Sequence, residues 1–219
     1  MEVLKTFGAI LEPDPRHEAF GYPDPTVSDG FRRLQLEDQY KAMVDLDLSA
    51  NVPEDIRSAF NVTRNLWLYG WFCYPFYTLA AFHALSLLEM ALRRRVDQES
   101  SAGSVKKSPG LRSLMQTAVG RRWIIDEDIT HARRLRDCRQ EELDFPPEIK
   151  HMFAPEEPWD SSPQKYCQIL ADTIPSHRNA LAHPERFGFG LPTWSKLDLE
   201  IARDIIETLY SGRDRNGRD

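Results

Sequence analysis

Apolar residues recur at steps of three and four along most of this chain, the spacing that gathers side chains on one face of a helix. After Pro53 the rhythm runs Ile56, Phe60, Thr63, Trp67, Trp71. Pro53 suits a first turn, and Glu54 and Asp55 complement the positive end of the helix dipole. A longer helix is predicted from Pro75 or Phe76 to Val96, carrying Leu79, Phe82, Leu85, Leu88 (or Glu89) and Leu92 on one side. It closes on "RRRV", cations at the negative end, read as a solvated helix end. A shorter helix fits Leu36–Leu46, with Tyr40, Met43 and Val44 on one side, and another fits Leu111, Leu114, Met115 and Ala118. A further helix starts near Asp126. The next opens at Ser162–Pro163 as cap and first position, with Tyr166, Ile169, Leu170, Thr173 and Ile174 as its face. Pro175 is expected to kink or restart it. The last, Leu197–Tyr210, repeats Leu197, Ile201, Ile205 and Leu209, with Ser195 three residues before Asp198 as a variant capping box.

No convincing alternating strand competes, apart from a small extended piece in "FGFGLPTW". The expected architecture is therefore all-α, an antiparallel helical bundle with loop insertions. Residues 1–35, rich in Pro, Gly and Asp, read as an extended proline-rich arm. Residues 36–211 read as the helical domain and 212–219 as a disordered polar tail.

One stretch bears on the compartment. Residues 65–88, "NLWLYGWFCYPFYTLAAFHALSLL", contain no charged side chain and are long enough to span a bilayer. Three tyrosines, a histidine, a glycine and a mid-run proline favour two buried helices meeting near Gly70–Pro75. The first twenty residues lack the apolar core and cleavage site of a signal peptide. Cys73, Cys138 and Cys167 are widely spaced, with no CxxC or metal-ligand spacing. A cytoplasmic chain without metal or cofactor is expected.

The net charge of −6 argues against a protein that coats nucleic acid non-specifically, while leaving room for a local basic groove. Arginine outnumbers lysine three to one, which suits planar recognition of carboxylates or phosphates. The basic stretch "HARRLRDCRQ" is interleaved with Asp128, Asp137, Glu141 and Glu142, and so reads as a mixed solvated face.

The chemistry concentrates in "IPSHRNALAHPER", residues 174–186. Asn179 and His183 are i, i+4 and share a helix face, whereas Arg178 and His183 are offset by about 140°. Pro184 disfavours helical geometry at His183, which places that imidazole at the helix end. Ala180 and Ala182 leave space for a neighbouring helix or ligand. A histidine titrating near neutrality can shuttle a proton, and an arginine can hold phosphate. Together they suffice for attack of a ribose 2′-hydroxyl on the adjacent phosphorus. Structural alternatives stand beside this: Arg178 bridging to Glu89 or Glu185, His183 bonded to a carbonyl as a C-cap, Asn179 as a packing hydrogen bonder. Glu89 interrupts the apolar face of its helix; it either takes a charged partner or reaches solvent. Tyr69, Tyr74 and Tyr77 are aromatic candidates for base stacking, with packing the commoner role for such residues.

"RNALAH" is similar to the Arg-x4–6-His motif of the HEPN superfamily, and "AAFHALSLLEMALRRRV" (80–96) resembles the long earlier helix of that fold. The resemblance spans roughly residues 53–210 and includes the order of elements. It implies a metal-independent endoribonuclease of the prokaryotic defence or toxin kind, with a homodimer whose motif helices meet in one composite site. Arg178, Asn179 and His183 would be catalytic, with Glu89 supporting them. RNA or a nucleotide, and an antitoxin, are the partners such a protein takes. In the HEPN toxins paired with small nucleotidyltransferases a tyrosine stands two residues after the histidine; here it is Glu185, so that mode of control is not expected. A non-catalytic HEPN-like module for binding nucleotide or RNA, or for dimerisation, is the alternative.

Overall fold

A computed structural model describes residues 4–28, 30–99, 109–143, 164–183 and 190–212. Among these the chain forms seven α-helices: α1 Leu36–Val44, α2 Glu54–Tyr69, α3 Phe76–Glu99, α4 Leu111–Gly120, α5 Thr130–Leu143, α6 Lys165–Leu181 and α7 Pro192–Tyr210. The fold is an all-α antiparallel bundle with α3 at its centre, and α2, α4, α6 and α7 all pack on it. The sequence of α3 explains that position. Tyr77, Ala80, Ala81, Ala84, Leu85, Leu87, Leu88, Ala91 and Leu92 are buried on several sides of the helix, not one, as expected of a helix that is apolar nearly all round. Its four alanines let neighbouring helices approach closely. The uncharged run 65–88 is thus two core helices separated by the turn at Gly70–Pro75. Among the described residues no helix is long and apolar enough to cross a membrane.

The apolar face of α2 is the predicted one: Ile56, Phe60, Thr63 and Trp67 are buried, and Trp71 just beyond it. The same holds for Leu111, Leu114, Met115 and Ala118 on α4. Other elements differ. In α1 Tyr40 and Val44 are exposed, and Gln39 is buried beside Met43, because its amide is satisfied: Nε2 donates to the Trp67 and Leu68 carbonyls at 3.1 and 3.3 Å. Leu79 of α3 is exposed, and that helix runs to Glu99, past Val96. The buried stripe of α6 is Cys167, Leu170, Ala171 and Ile174, while Ile169 and Thr173 face outward. Pro175 neither ends nor restarts α6; it sits buried within it. The predicted cap at Ser162–Pro163 lies outside the described residues.

α7 begins five residues earlier than predicted, with Pro192 in its first turn. Ser195 is therefore not a cap. Its buried hydroxyl donates to the Pro192 carbonyl at 2.9 Å and accepts from Trp67 Nε1 at 3.0 Å. Two helix starts are capped from afar. Asp126, in the 3₁₀ turn Asp126–Asp128, accepts from the Tyr166 and Cys167 amides of α6 at 3.0 and 2.8 Å, and Asp204 of α7 accepts from the Thr130 amide of α5 at 2.7 Å. Both carboxylates satisfy amides that a helix start leaves open.

Residues 4–28 and 30–35 carry turns and lie against the bundle at Asp14 and His17. They hold 3₁₀ turns at Phe7–Ala9 and Pro15–Ala19 and an antiparallel hairpin, β1 Gly21–Pro23 with β2 Phe31–Arg33. The segment docks where α2 turns into α3. The Asp14 amide donates to the Trp71 carbonyl at 2.8 Å, and His17 stacks on Trp71 with ring centroids 4.5 Å apart. Gly70 is needed here, since a side chain at that position would collide with the Tyr77 ring.

Candidate functional site

Arg178 of the polar cluster on α6 meets Glu89, the acidic residue in the middle of α3. Glu89 lies one turn before Arg93 on α3, and its two oxygens serve two helices. Oε1 accepts from Arg93 Nη2 at 2.8 Å and Oε2 from Arg178 Nη2 of α6 at 2.9 Å. The Arg178 guanidinium also lies 5.7 Å from the centroid of Phe82, within cation–π range. Its Nη1 makes a long contact, 3.4 Å, to the Asn179 side-chain oxygen. Its Nε is buried and meets no acceptor among the described residues. The Glu89 side chain is 16% exposed and that of Arg178 31%. The pair is thus half-open, with Nη2 of the guanidinium fixed by the carboxylate.

The structure therefore joins Arg178 with Glu89 and with Asn179, and adds Arg93, which sequence reasoning had assigned only to a solvated helix end. The rest of that basic run is also paired: Arg94 with Asp55 at 2.6 Å and Arg95 with Glu99 at 3.2 Å. Asn179 and His183 are exposed. His183 follows the C-cap residue Ala182, and its amide donates to the Ala180 carbonyl at 3.0 Å. Arg178 turns inward to Glu89 of α3, whereas His183 lies past the last helical residue, Leu181, and its C-cap Ala182.

A second pair was missed. His177 Nε2 lies 3.0 Å from Asp198 Oδ2 of α7, and bonding to that carboxylate raises the imidazole pKa against the opposing effect of burial. His177 precedes Arg178 and faces α7 instead of α3. The sequence carried no distinctive signal for it, since Asp198 is one of several charges along α7.

Of the tyrosines considered for stacking, Tyr74 and Tyr77 are core residues and Tyr69 is exposed. In the basic stretch of α5, Arg134 pairs with Glu200 at 3.0 Å and Arg136 with Glu127 at 3.6 Å, so these arginines belong to the bundle's own ion pairs. Among the described residues no group of three or more His, Cys, Asp or Glu side chains is placed to hold a metal ion. No protein-family model, curated protein or solved structure matches the chain.

Proposed function

We propose that this chain is a HEPN-like, metal-independent endoribonuclease, a cytoplasmic defence or toxin protein restrained by an antitoxin. The observation that carries this reading is the bond from Arg178 to Glu89. It fixes a guanidinium at the motif helix before any ligand arrives, which is the preorganisation that electrostatic catalysis needs. Arg178 holds the scissile phosphate through Nη1, the terminal nitrogen that Glu89 does not take, and Asn179 orients it. His183 takes the proton from the ribose 2′-hydroxyl as O2′ attacks phosphorus, and a protonated His183 delivers one to the departing O5′. The products are a 2′,3′-cyclic phosphate and a 5′-hydroxyl. The inward turn of Arg178 toward α3, with His183 beyond the C-cap of α6, favours a homodimer, in which two motif helices supply both faces of one composite site. Purified protein is expected to cleave RNA with those end groups, and His183→Ala is expected to lower the rate by at least about a hundredfold. Equal cleavage by the two proteins overturns the reading.

A second reading is a non-catalytic HEPN-like module that binds nucleotide or RNA. It is favoured by the neutralisation of Arg178 by Glu89 within a chain of net charge −6. It predicts weaker RNA binding by Arg178→Ala and no turnover by the unmodified protein.

A further inference from the structure

The segment ahead of Asp14 turns its apolar side chains to water. Leu4 is 95% exposed and Phe7 94%, and Ile10 and Leu11 are each more than half exposed. The backbone there is ordered by its own bonds. The Ala9 amide donates to the Thr6 carbonyl at 3.1 Å, closing the 3₁₀ turn Phe7–Ala9, and the Glu12 amide donates to the Ala9 carbonyl at 3.1 Å. Phe7 and Ile10 stand three apart on these turns and so share a face. A single exposed apolar residue is ordinary. Several within eight residues of ordered backbone form a patch of the kind that marks an interaction surface.

A matching surface lies open on the same molecule. A cleft of about 490 Å³ between α1 and the end of α2 is lined chiefly by Leu36, Tyr40, Leu68, Tyr69 and Phe72. Leu36 and Tyr40 are one turn apart on α1 and share a face, and both are exposed, as is Tyr69 across from them. The two walls are tied together. Gln39 of α1 donates to the Trp67 and Leu68 carbonyls, and Arg64 Nη2 of α2 donates to the Val44 carbonyl at 2.8 Å. The cleft therefore exists before anything enters it, as binding grooves generally do. Charge matches as well. Glu37 is the charged residue of the lining, and Lys5 is the charged residue between Leu4 and Leu11. Glu37 is held by an exposed pair with Lys41 at 2.8 Å, a weak bond that a second cation can replace.

The segment starts beside this cleft and does not enter it. The Asp14 amide is bonded to the Trp71 carbonyl at 2.8 Å, and Trp71 is followed by Phe72 of the cleft. Pro13 and Pro15 flank Asp14. Each fixes its own φ and biases the residue before it toward extended geometry, and Asp14 has φ −67° and ψ 131°. So stiff a root resists folding the segment back onto its own bundle, and Leu4 and Phe7 stay in water. We propose that residues 4–11 are an exchange arm whose apolar face enters the α1/α2 cleft of a second copy of this chain. Each arm leaves its bundle next to that bundle's own cleft. Two copies that trade arms thus bring both contacts together around one axis, which closes a symmetric dimer instead of an open chain. Phe7 alone presents on the order of 150 Å². Arm and cleft together, counted on both copies, hide on the order of 1,500 Å², the size of a standard stable interface. This contact uses neither Arg178 nor α6, and it forms whether or not the chain cleaves RNA.

The test uses the full chain and follows molecular mass against concentration by sedimentation and light scattering. The unmodified protein is expected to dimerise. Phe7→Glu and Tyr40→Glu alter exposed side chains, so both are expected to keep the helical circular dichroism. Each is expected to shift association at least about tenfold toward monomer, because a carboxylate would be driven into an apolar contact. Leu36→Glu, on the same wall as Tyr40, is expected to act likewise. A labelled peptide of residues 1–12 separates arm from cleft. It is expected to bind Phe7→Glu, which keeps its cleft, and to bind Tyr40→Glu at least about tenfold more weakly. Loss of association with Phe7→Glu alone puts the arm on another surface and overturns the inference. So does a peptide that binds both variants alike. A dimer formed only through α6 is indifferent to all three substitutions, and that equal association overturns it too. A protein that stays monomeric at every concentration also overturns it, whether the arm closes on its own cleft or Phe7 carries the chain onto phosphatidylglycerol vesicles.

Discussion

Two of the polar clusters among the helices are built in opposite ways. At the turn between α2 and α3, Asp14, His17, Gln39 and Tyr77 are enclosed. The Tyr77 hydroxyl donates to Gln39 Oε1 at 2.8 Å, and His17 Nε2 meets the Gly70 carbonyl at 3.2 Å inside a ring of Phe20, Trp71, Tyr74 and Tyr77. Burial would raise the Asp14 pKa, but bonds from Arg16 and the Tyr74 amide outweigh it and hold the carboxyl at about 2. At α3, α6 and α7 the cluster of Glu89, Arg93, Arg178, His177 and Asp198 is half-open. The first arrangement leaves little for a ligand to bind and pins the N-terminal segment to the bundle. The second holds charged groups in place while keeping part of them in reach of solvent, which is what a binding site requires.

The comparison is broken most directly at His17. His17→Ala removes a stacked ring from an enclosed site and is expected to cost about 3 kcal/mol of unfolding free energy, read by urea denaturation. A loss below about 1 kcal/mol would show that the segment is not part of the cooperative core. Glu89→Gln should cost less, about 1–2 kcal/mol, by leaving Arg93 and Arg178 without their shared carboxylate. A double-mutant cycle with Arg178→Ala isolates the Glu89–Arg178 coupling, and zero coupling would remove the physical basis for a prepositioned guanidinium.

The two histidines sharpen the contrast through pH. Burial lowers the His17 pKa from its ordinary 6.5, so the unfolded chain binds more protons at that residue. Its contribution to stability is complete above about pH 6.5 and is lost as pH falls toward the folded value. The Asp198 carboxylate raises the His177 pKa, so that contribution is complete below about pH 6.5 and is lost as pH climbs through the folded value. Melting curves across pH should therefore show His17→Phe flattening the acid limb and His177→Gln flattening the alkaline limb. The same limb moving in both variants would refute the assignment. The smallest effect is expected at Arg136, whose pairing with Glu127 joins side chains that are each more than half exposed. Arg136→Ala should shift stability by less than about 0.5 kcal/mol in the same denaturation assay, and a larger change would mean that α5 contributes more than a solvated face.

What the sequence determined by itself was the set of helices and most of their buried faces. Ile56, Phe60, Thr63 and Trp67 are where their spacing put them, because 3.6 residues per turn is a local property of the backbone. The split of residues 65–88 into two helices was legible for the same reason, from Gly70 and Pro75. In the candidate site, the identity of the polar residues could also be read along the chain. Which polar groups meet could not. Glu89 and Arg178 are 89 residues apart, and the sequence left Arg178 two carboxylates and Glu89 the choice of solvent. Gln39 inside α1, Asp126 and Asp204 as remote helix caps, and His177 with Asp198 are likewise products of how helices cross on α3. A hydrogen bond between helices requires donor and acceptor within about 3 Å, and that distance is set by the packing of the whole core. The tertiary structure alone decided which charges were enclosed as structure and which were left half-open.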